Sequence, residues 1–286
     1  MLLGYGTNCV GDVDPLDAIG ALRDLGYASL AITLDRHTID PDAADLPGRL
    51  ARWRAALDAA GMARVIETGA RHLLDATRKH EPTLVSTEPD GRRRRIDFLC
   101  RAVDIAVDLG ATCVSLWSGV VRDSAPEEAV WERLVSGLGR VLDHAAARGM
   151  TLAFEPEPGM AIDTLDRYDR LLDRLGRPDL LRLTIDVGHL ECMGERPLPR
   201  RLAAWTGRLA NVHVDDMLAC RHEHLPLGSG DVDFAPVVAT LAAGGYAGGL
   251  HVELPRQSHQ WHATARQSAD FLLPLIAAAG QNRVTR

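Results

Sequence analysis

The feature that most constrains this chain is an alternation. Eight short apolar runs bounded by turn residues are separated by longer stretches with apolar residues three and four apart. The strand candidates are Leu2–Tyr5, Ser29–Leu34, Ala63–Glu67, Thr112–Trp117, Thr151–Glu155, Leu181–Ile185, Leu209–Val214 and Gly249–Glu253. Helical patterns cover Pro15–Leu25, Leu46–Ala60, Ile96–Leu109, Pro126–Arg148, Thr164–Leu175, Leu198–Trp205, Phe234–Ala243 and Ala263–Ala278. Ile96, Leu99, Val103 and Val107 show the spacing, which lines one stripe of a helix. Gly26, Gly61, Gly110, Gly149 and Gly244–Gly245 stand where helices stop before the next strand.

Length alone, at 286 residues, does not choose between one domain and two. Eight strands each followed by a helix, with no linker, is the count of a (β/α)8 barrel. A doubly wound open sheet competes, but it normally carries a glycine-rich nucleotide loop after its first strand. Gly4-Tyr5-Gly6-Thr7-Asn8-Cys9 lacks the third glycine. The expected fold is therefore a single-domain α/β TIM barrel over residues 1–279, with a polar tail at 280–286.

Charge and composition remove several partners. A net charge of −7 leaves no basic footprint for nucleic acid. Five cysteines, scattered and without a Cys-x-x-Cys pair, suit reduced thiols in a cytoplasm rather than a disulfide frame or thiolate zinc site. The N-terminus shows no signal peptide, and the Phe271–Ala279 run is too short for a membrane span and holds Pro274.

Two connections are long. Residues 69–95 follow the third strand and carry Arg92 to Arg95; residues 217–233 follow the seventh. Long loops in a compact domain are usually functional or mobile, and in a barrel those after strands lie at the catalytic rim. Four consecutive arginines could grip an anion, but such a run usually forms a solvated face, and that is the expectation.

Four strand ends carry ionisable groups. In Thr184-Ile185-Asp186-Val187-Gly188-His189 a strand ends by presenting a carboxylate and, three residues on, an imidazole. The plainer reading is an N-capping Asp beside a surface His. In Phe154-Glu155-Pro156-Glu157-Pro158, Glu155 closes an apolar strand, and Glu157 shares its side if the extended form persists. His213 shares a face with Asn211 and Asp215, and Glu253 closes the last strand before Pro255. Each alone has an ordinary reading as an ion pair or a core hydrogen bond. On neighbouring strands of a barrel, however, Glu155, Asp186, His213 and Glu253 converge on one rim. Three close carboxylates then need a cation. An oxygen-rich, sulfur-free set suits Mn²⁺, Mg²⁺ or Co²⁺ ahead of Zn²⁺.

Glu155, Asp186-Val187-Gly188-His189, His213 and Glu253 resemble the motif set of the xylose isomerase-like TIM-barrel superfamily, the sugar phosphate isomerase/epimerase group related to endonuclease IV. The similarity spans nearly the whole chain. Leu225 to Phe234 resembles the family's Gly-x-Gly loop, and Gly245-Tyr246 also matches. The resemblance implies that Glu155, Asp186, His213 and Glu253 hold one divalent metal. It also implies that Glu155 and Glu253 exchange a proton on opposite faces of the substrate. His189 would lie behind the ligands or touch a hydroxyl. The epimerases' second glutamate after the fifth strand falls here on Ala161, and Glu157 is the replacement at hand.

Against endonuclease IV, His224 resembles a cluster histidine, while His222 stands where that cluster has an Asp. The fourth strand ends in Trp117 and lacks the nuclease's histidine. That argues against a three-metal site and DNA repair, yet leaves a second metal on His189, His222 and His224 open.

The implied activity is a divalent-metal-dependent isomerase or epimerase of a sugar, sugar phosphate or cyclitol, working by proton transfer next to a carbonyl through a metal-stabilised enediolate. A metal-dependent dehydratase of a polyhydroxy carbonyl compound such as an inosose is the alternative. A metal hydrolase or a non-catalytic metabolite-binding barrel ranks below both. Trp117 would wall a sugar ring, and Arg256 and His251 would contact hydroxyls or phosphate. The partner is a small sugar-like molecule, with neither nucleic acid nor membrane. Barrels of this group often pair, so a homo-oligomer is compatible with the resemblance.

Overall fold

The computed structural model describes residues 1–284. Eight parallel strands close into a barrel: β1 (Leu2–Gly6), β2 (Ser29–Thr33), β3 (Ala63–Glu67), β4 (Val114–Leu116), β5 (Leu152–Phe154), β6 (Leu181–Asp186), β7 (Leu209–Val214) and β10 (Gly249–Val252). Their order around the barrel follows the chain. β10 closes it between β7 and β1. All residues of β2, β4, β5 and β10 are buried, as expected of parallel strands covered by helices on one side and packed inward on the other. The helices are α1 (Pro15–Asp24), α2 (Leu46–Ala60), α3 (Pro89–Leu109), α4 (Glu127–Arg148), α5 (Leu165–Arg174), α6 (Val187–Cys192), α7 (Leu198–Ala203), α8 (Phe234–Ala243) and α9 (Trp261–Val284). Among the described residues no helix is long and apolar enough to cross a membrane.

The chain clusters into two compact units. One comprises Met1–Ile32, Ala55–Arg64 and the chain from Leu183 onward; the other comprises Thr33–Arg54 and Val65–Arg182. In the first unit, β10 pairs with both β1 and β7, setting His251 opposite Gly4 on one side and His213 on the other. Tyr27 ties this sheet to α9 by donating its hydroxyl to the Ala265 carbonyl at 2.8 Å. In the second unit, β3, β4 and β5 form a ladder that extends one bond past β5, where the Glu155 N–H donates to the Leu116 carbonyl at 2.8 Å.

Several boundaries differ from the sequence reading. Helix α3 begins at Pro89 rather than Ile96, because a proline suits the first helical turn and Asp90 supports its positive end. The arginine run is therefore helical. At 3.6 residues per turn, four consecutive positions cannot all face water. Arg93 and Arg94 are exposed, as a solvated face requires. Arg95 instead is fully buried, donating to the Thr68 carbonyl at 2.8 Å. Its guanidinium lies 4.3 Å from the Trp117 ring centroid and 5.2 Å from that of Phe98. Burial lowers its pKa to about 9, still well above neutrality. The connection after β7 holds a hairpin, β8 (Asp216–Leu218) with β9 (Arg221–Leu225). The tail expected from residue 280 is helical as far as Val284; residues 285–286 lie outside the described residues.

Candidate metal centre

β6 ends on Asp186, which caps α6: its Oδ1 accepts from the His189 N–H at 3.1 Å. The capping expectation is met, but the histidine is no surface residue, being 3% exposed. The other oxygen, Oδ2, is buried without a hydrogen-bond partner. α6 can start this close to the end of β7 because position 188 is glycine. A Cβ there would sit 1.9 Å from Asp215 Oδ1.

Strand register delivers the next two groups. Asp186 pairs with His213 across β6 and β7, and His213 with His251 across β7 and β10. Glu253 follows two residues after His251 in the alternation. Its Oε2 lies 2.9 Å from His213 Nδ1, and its Oε1 accepts from Asn8 Nδ2 at 2.8 Å. Glu155 is buried at the end of β5. One ligand atom from each of Glu155, Asp186, His213 and Glu253 lies within 4.8 Å of the others, and the same holds for Glu155, Glu157 and His189.

The hairpin brings a second cluster. His189 Nε2 and His222 Nε2 are 3.1 Å apart, and His189, His222 and His224 form another set within 4.8 Å. His224 Nδ1 is bonded to Asp215 Oδ2, which turns Nε2 away from that carboxylate. Asp215 itself was not among the expected ligands. Its position on the His213 face was readable, but its partner comes from the hairpin, which period-two alternation does not place. His251, expected as a substrate contact, is 1% exposed and bonded to Ser29 and Asn211, so it faces the barrel interior. Trp117 is 7% exposed against Arg95 and His80, and Arg256 is exposed.

A model of the family described as xylose isomerase-like TIM barrel matches residues 19–275. The chain belongs to the xylose isomerase-like TIM barrel family. Within it, the chain is 26% identical over 261 residues to an L-ribulose-5-phosphate 3-epimerase of Salmonella paratyphi C, covering 88% of this chain and 89% of that protein. An inosose dehydratase of Geobacillus thermodenitrificans is 32% identical over 143 residues, 44% of this chain and 47% of that protein. The solved structure of an L-ribulose 3-epimerase superposes with a TM-score of 0.78 at 19% identity, covering 99% and 97% of the two chains.

The electrostatics of this member of the family divide its carboxylates. For Asp186, burial pushes the carboxyl pKa up most strongly, but His189, His224 and His213 hold it below its usual value. Glu253 is likewise held below the carboxylate range, burial being outweighed by His213, His224 and Asn8. Asp215 goes the other way. Burial, then Asp186 and Glu253, push it well above the usual range. Burial lowers His189 to about 4 and also lowers His222, so both imidazoles are neutral and have lone pairs to give. Unpartnered Asp186 Oδ2 and Asp215 Oδ1, beside further carboxylate and imidazole donors, fit a divalent ion.

Proposed function

We propose that this chain is a divalent-cation-dependent isomerase or epimerase of a sugar, sugar phosphate or cyclitol, moving a proton on the carbon next to a carbonyl. One observation carries the reading: a buried carboxylate oxygen without a donor, Asp186 Oδ2, in a set of four groups whose ligand atoms lie within 4.8 Å. Glu155, Asp186, His213 and Glu253 would hold the ion. When bound, it would draw together the carbonyl and neighbouring hydroxyl oxygens and stabilise the charge that develops on them. Glu155 and Glu253 exchange the proton, one taking it and the other returning it. The Asn8 amide fixes the rotamer of Glu253 for that role by bonding its Oε1.

The oxygen-rich donor set favours Mn²⁺, Mg²⁺ or Co²⁺, with Zn²⁺ next. His189, His222 and His224 would hold a second, nitrogen-bound cation. Trp117 would wall the sugar, with Arg256 and Glu157 contacting its polar groups. The free cysteines among the described residues accord with a cytoplasmic enzyme. The match to an inosose dehydratase supports one further reading, loss of a β-hydroxyl after the same proton abstraction.

The test is proton exchange in heavy water. Metal-loaded protein is incubated with a panel of ketoses, their 5-phosphates and inososes, and followed by NMR. Deuterium entering the recovered sugar without water loss supports the isomerase or epimerase. An enone absorbance supports the dehydratase. Absence of exchange across the panel, with the ion bound, defeats both.

A further inference from the structure

Behind the candidate ligands, four side chains form one line of hydrogen bonds that ends on Glu253. Ser29 Oγ lies 2.8 Å from His251 Nε2, and His251 Nδ1 lies 2.8 Å from Asn211 Oδ1. Asn211 Nδ2 then lies 3.0 Å from His213 Nε2, and His213 Nδ1 2.9 Å from Glu253 Oε2. Ser29, Asn211 and His251 are buried, and their polar groups meet one another in the barrel interior. Room for the inner imidazole is built into the backbone. A Cβ on Gly4 would meet the His251 ring at 2.4 Å, and one on Gly249 would meet it at 2.5 Å.

This line can run in either of two directions. A side-chain amide offers one oxygen and one NH₂, and a neutral imidazole carries a single proton. Where Asn211 donates to His213 Nε2, the His213 proton is on Nδ1 and is donated to Glu253; where the amide is turned, it is on Nε2 and is accepted by Asn211. Yet Nδ1 is the nitrogen on the Glu253 side, among the other ligand atoms, and a nitrogen that binds a cation carries no proton.

We propose that Asn211 and His251 are positioning residues that decide which ring nitrogen of His213 carries its proton, and that loading the centre reverses the line. The inference rests on the cation site of the preceding section. In the loaded state the His213 proton is on Nε2 and is accepted by Asn211 Oδ1. The amide has turned, so Asn211 Nδ2 donates to His251 Nδ1. His251 in turn donates from Nε2 to Ser29 Oγ, whose own hydrogen rotates away. Each imidazole moves one proton between its own nitrogens, and every group ends with the proton count it began with. No charge is therefore created in the interior, where an unpaired one would be costly. A side-chain amide is suited to this part because one end accepts and the other donates, so a half-turn exchanges the two.

Mn²⁺ and Zn²⁺ dissociation constants are measured by chelator competition for the wild type, Asn211→Leu and Asn211→Asp. Histidine ¹⁵N shifts of the wild type are recorded with and without Zn²⁺. Asn211→Leu removes the Asn211 oxygen that accepts the Nε2 proton and should weaken binding by about 10- to 100-fold. Asn211→Asp offers only acceptors and should bind at least as tightly as the wild type. The ¹⁵N shifts should place the His213 proton on Nδ1 without the ion and on Nε2 with it. A merely structural Asn211 would lower the melting temperature of both variants without separating their affinities. Equal affinities for wild type and Asn211→Leu overturn the proposal. So does a His213 proton that stays on one nitrogen, a reading that needs no variant to fold. A wild type that takes up neither ion defeats the cation site itself, which is a separate failure.

Discussion

The strand-borne and hairpin-borne groups of the centre supply similar donors on very different supports. Asp186, His213 and Glu253 sit on or just beyond β6, β7 and β10, whose parallel register sets their spacing. His222 and His224 sit on the β8–β9 hairpin, where Cys220 and His224 adopt positive φ values of 63° and 45°. Residues with a Cβ pay for that conformation, and they keep it only when contacts hold them there. For His224 the contact is Asp215, at the end of β7. The lesson is that strand register spaces Asp186, His213 and Glu253, while His224 on the hairpin is tied back to the barrel by one buried carboxylate.

Asp186→Asn tests the strand side most severely. Asparagine can still cap α6 through its oxygen, so the fold should survive. Metal content should drop to background and proton exchange should fall by about 1,000-fold or more, a term of the size expected when charge stabilisation is lost. Retention of both would break the distinction at its root. Glu253→Gln should lower exchange by about 100- to 10,000-fold, the usual range for a general acid or base. Because a neutral amide still offers an oxygen, part of the metal should remain, as elemental analysis would show.

On the hairpin side the effects should be smaller. Asp215→Asn removes the carboxylate behind His224 and should weaken a second cation by about 10- to 100-fold. The first ion should be affected less, so a titration that separates the two stoichiometries would sharpen the comparison. Equal weakening of both would mean that the two clusters act as one.

The gentlest probe is pH, applied to metal-stripped protein. Burial lowers His189 to about 4, His251 to about 3 and His80 to about 4, each below the usual imidazole value. Between about pH 4 and 6.5 the unfolded chain binds these three protons and the folded chain does not. Stability contributed by the neutral histidines is therefore present above that window and lost as pH falls through it. Asp215, raised by burial, holds a proton in the fold that the unfolded chain releases, and so opposes one of the three. With the lowered His222 adding to these, a net of at least about two protons gives a slope of about 3 kcal/mol per pH unit or more, readable from urea midpoints between pH 5 and 6. A flat profile would show that the histidines are protonated in the fold.

Much of this was legible in the residue order. Alternating periods of two and 3.6 foretold the eight strands and most of the helices, α6 excepted, and the four strand ends read as one set, Glu155, Asp186, His213 and Glu253, carry ligand atoms within 4.8 Å of one another. These features rest on local geometry, which short stretches of chain express by themselves. Helix α3 was missed at its start because an arginine run looks polar all round, whereas only its last member turns inward, against Trp117 and Phe98. The pairing of Asp215 with His224, and the line from Ser29 through His251 and Asn211 to His213, join residues from distant segments. No periodicity encodes such partners. They exist because closing the barrel sets β10 beside both β1 and β7, and because a buried polar group must find its complement wherever the packed chain supplies one.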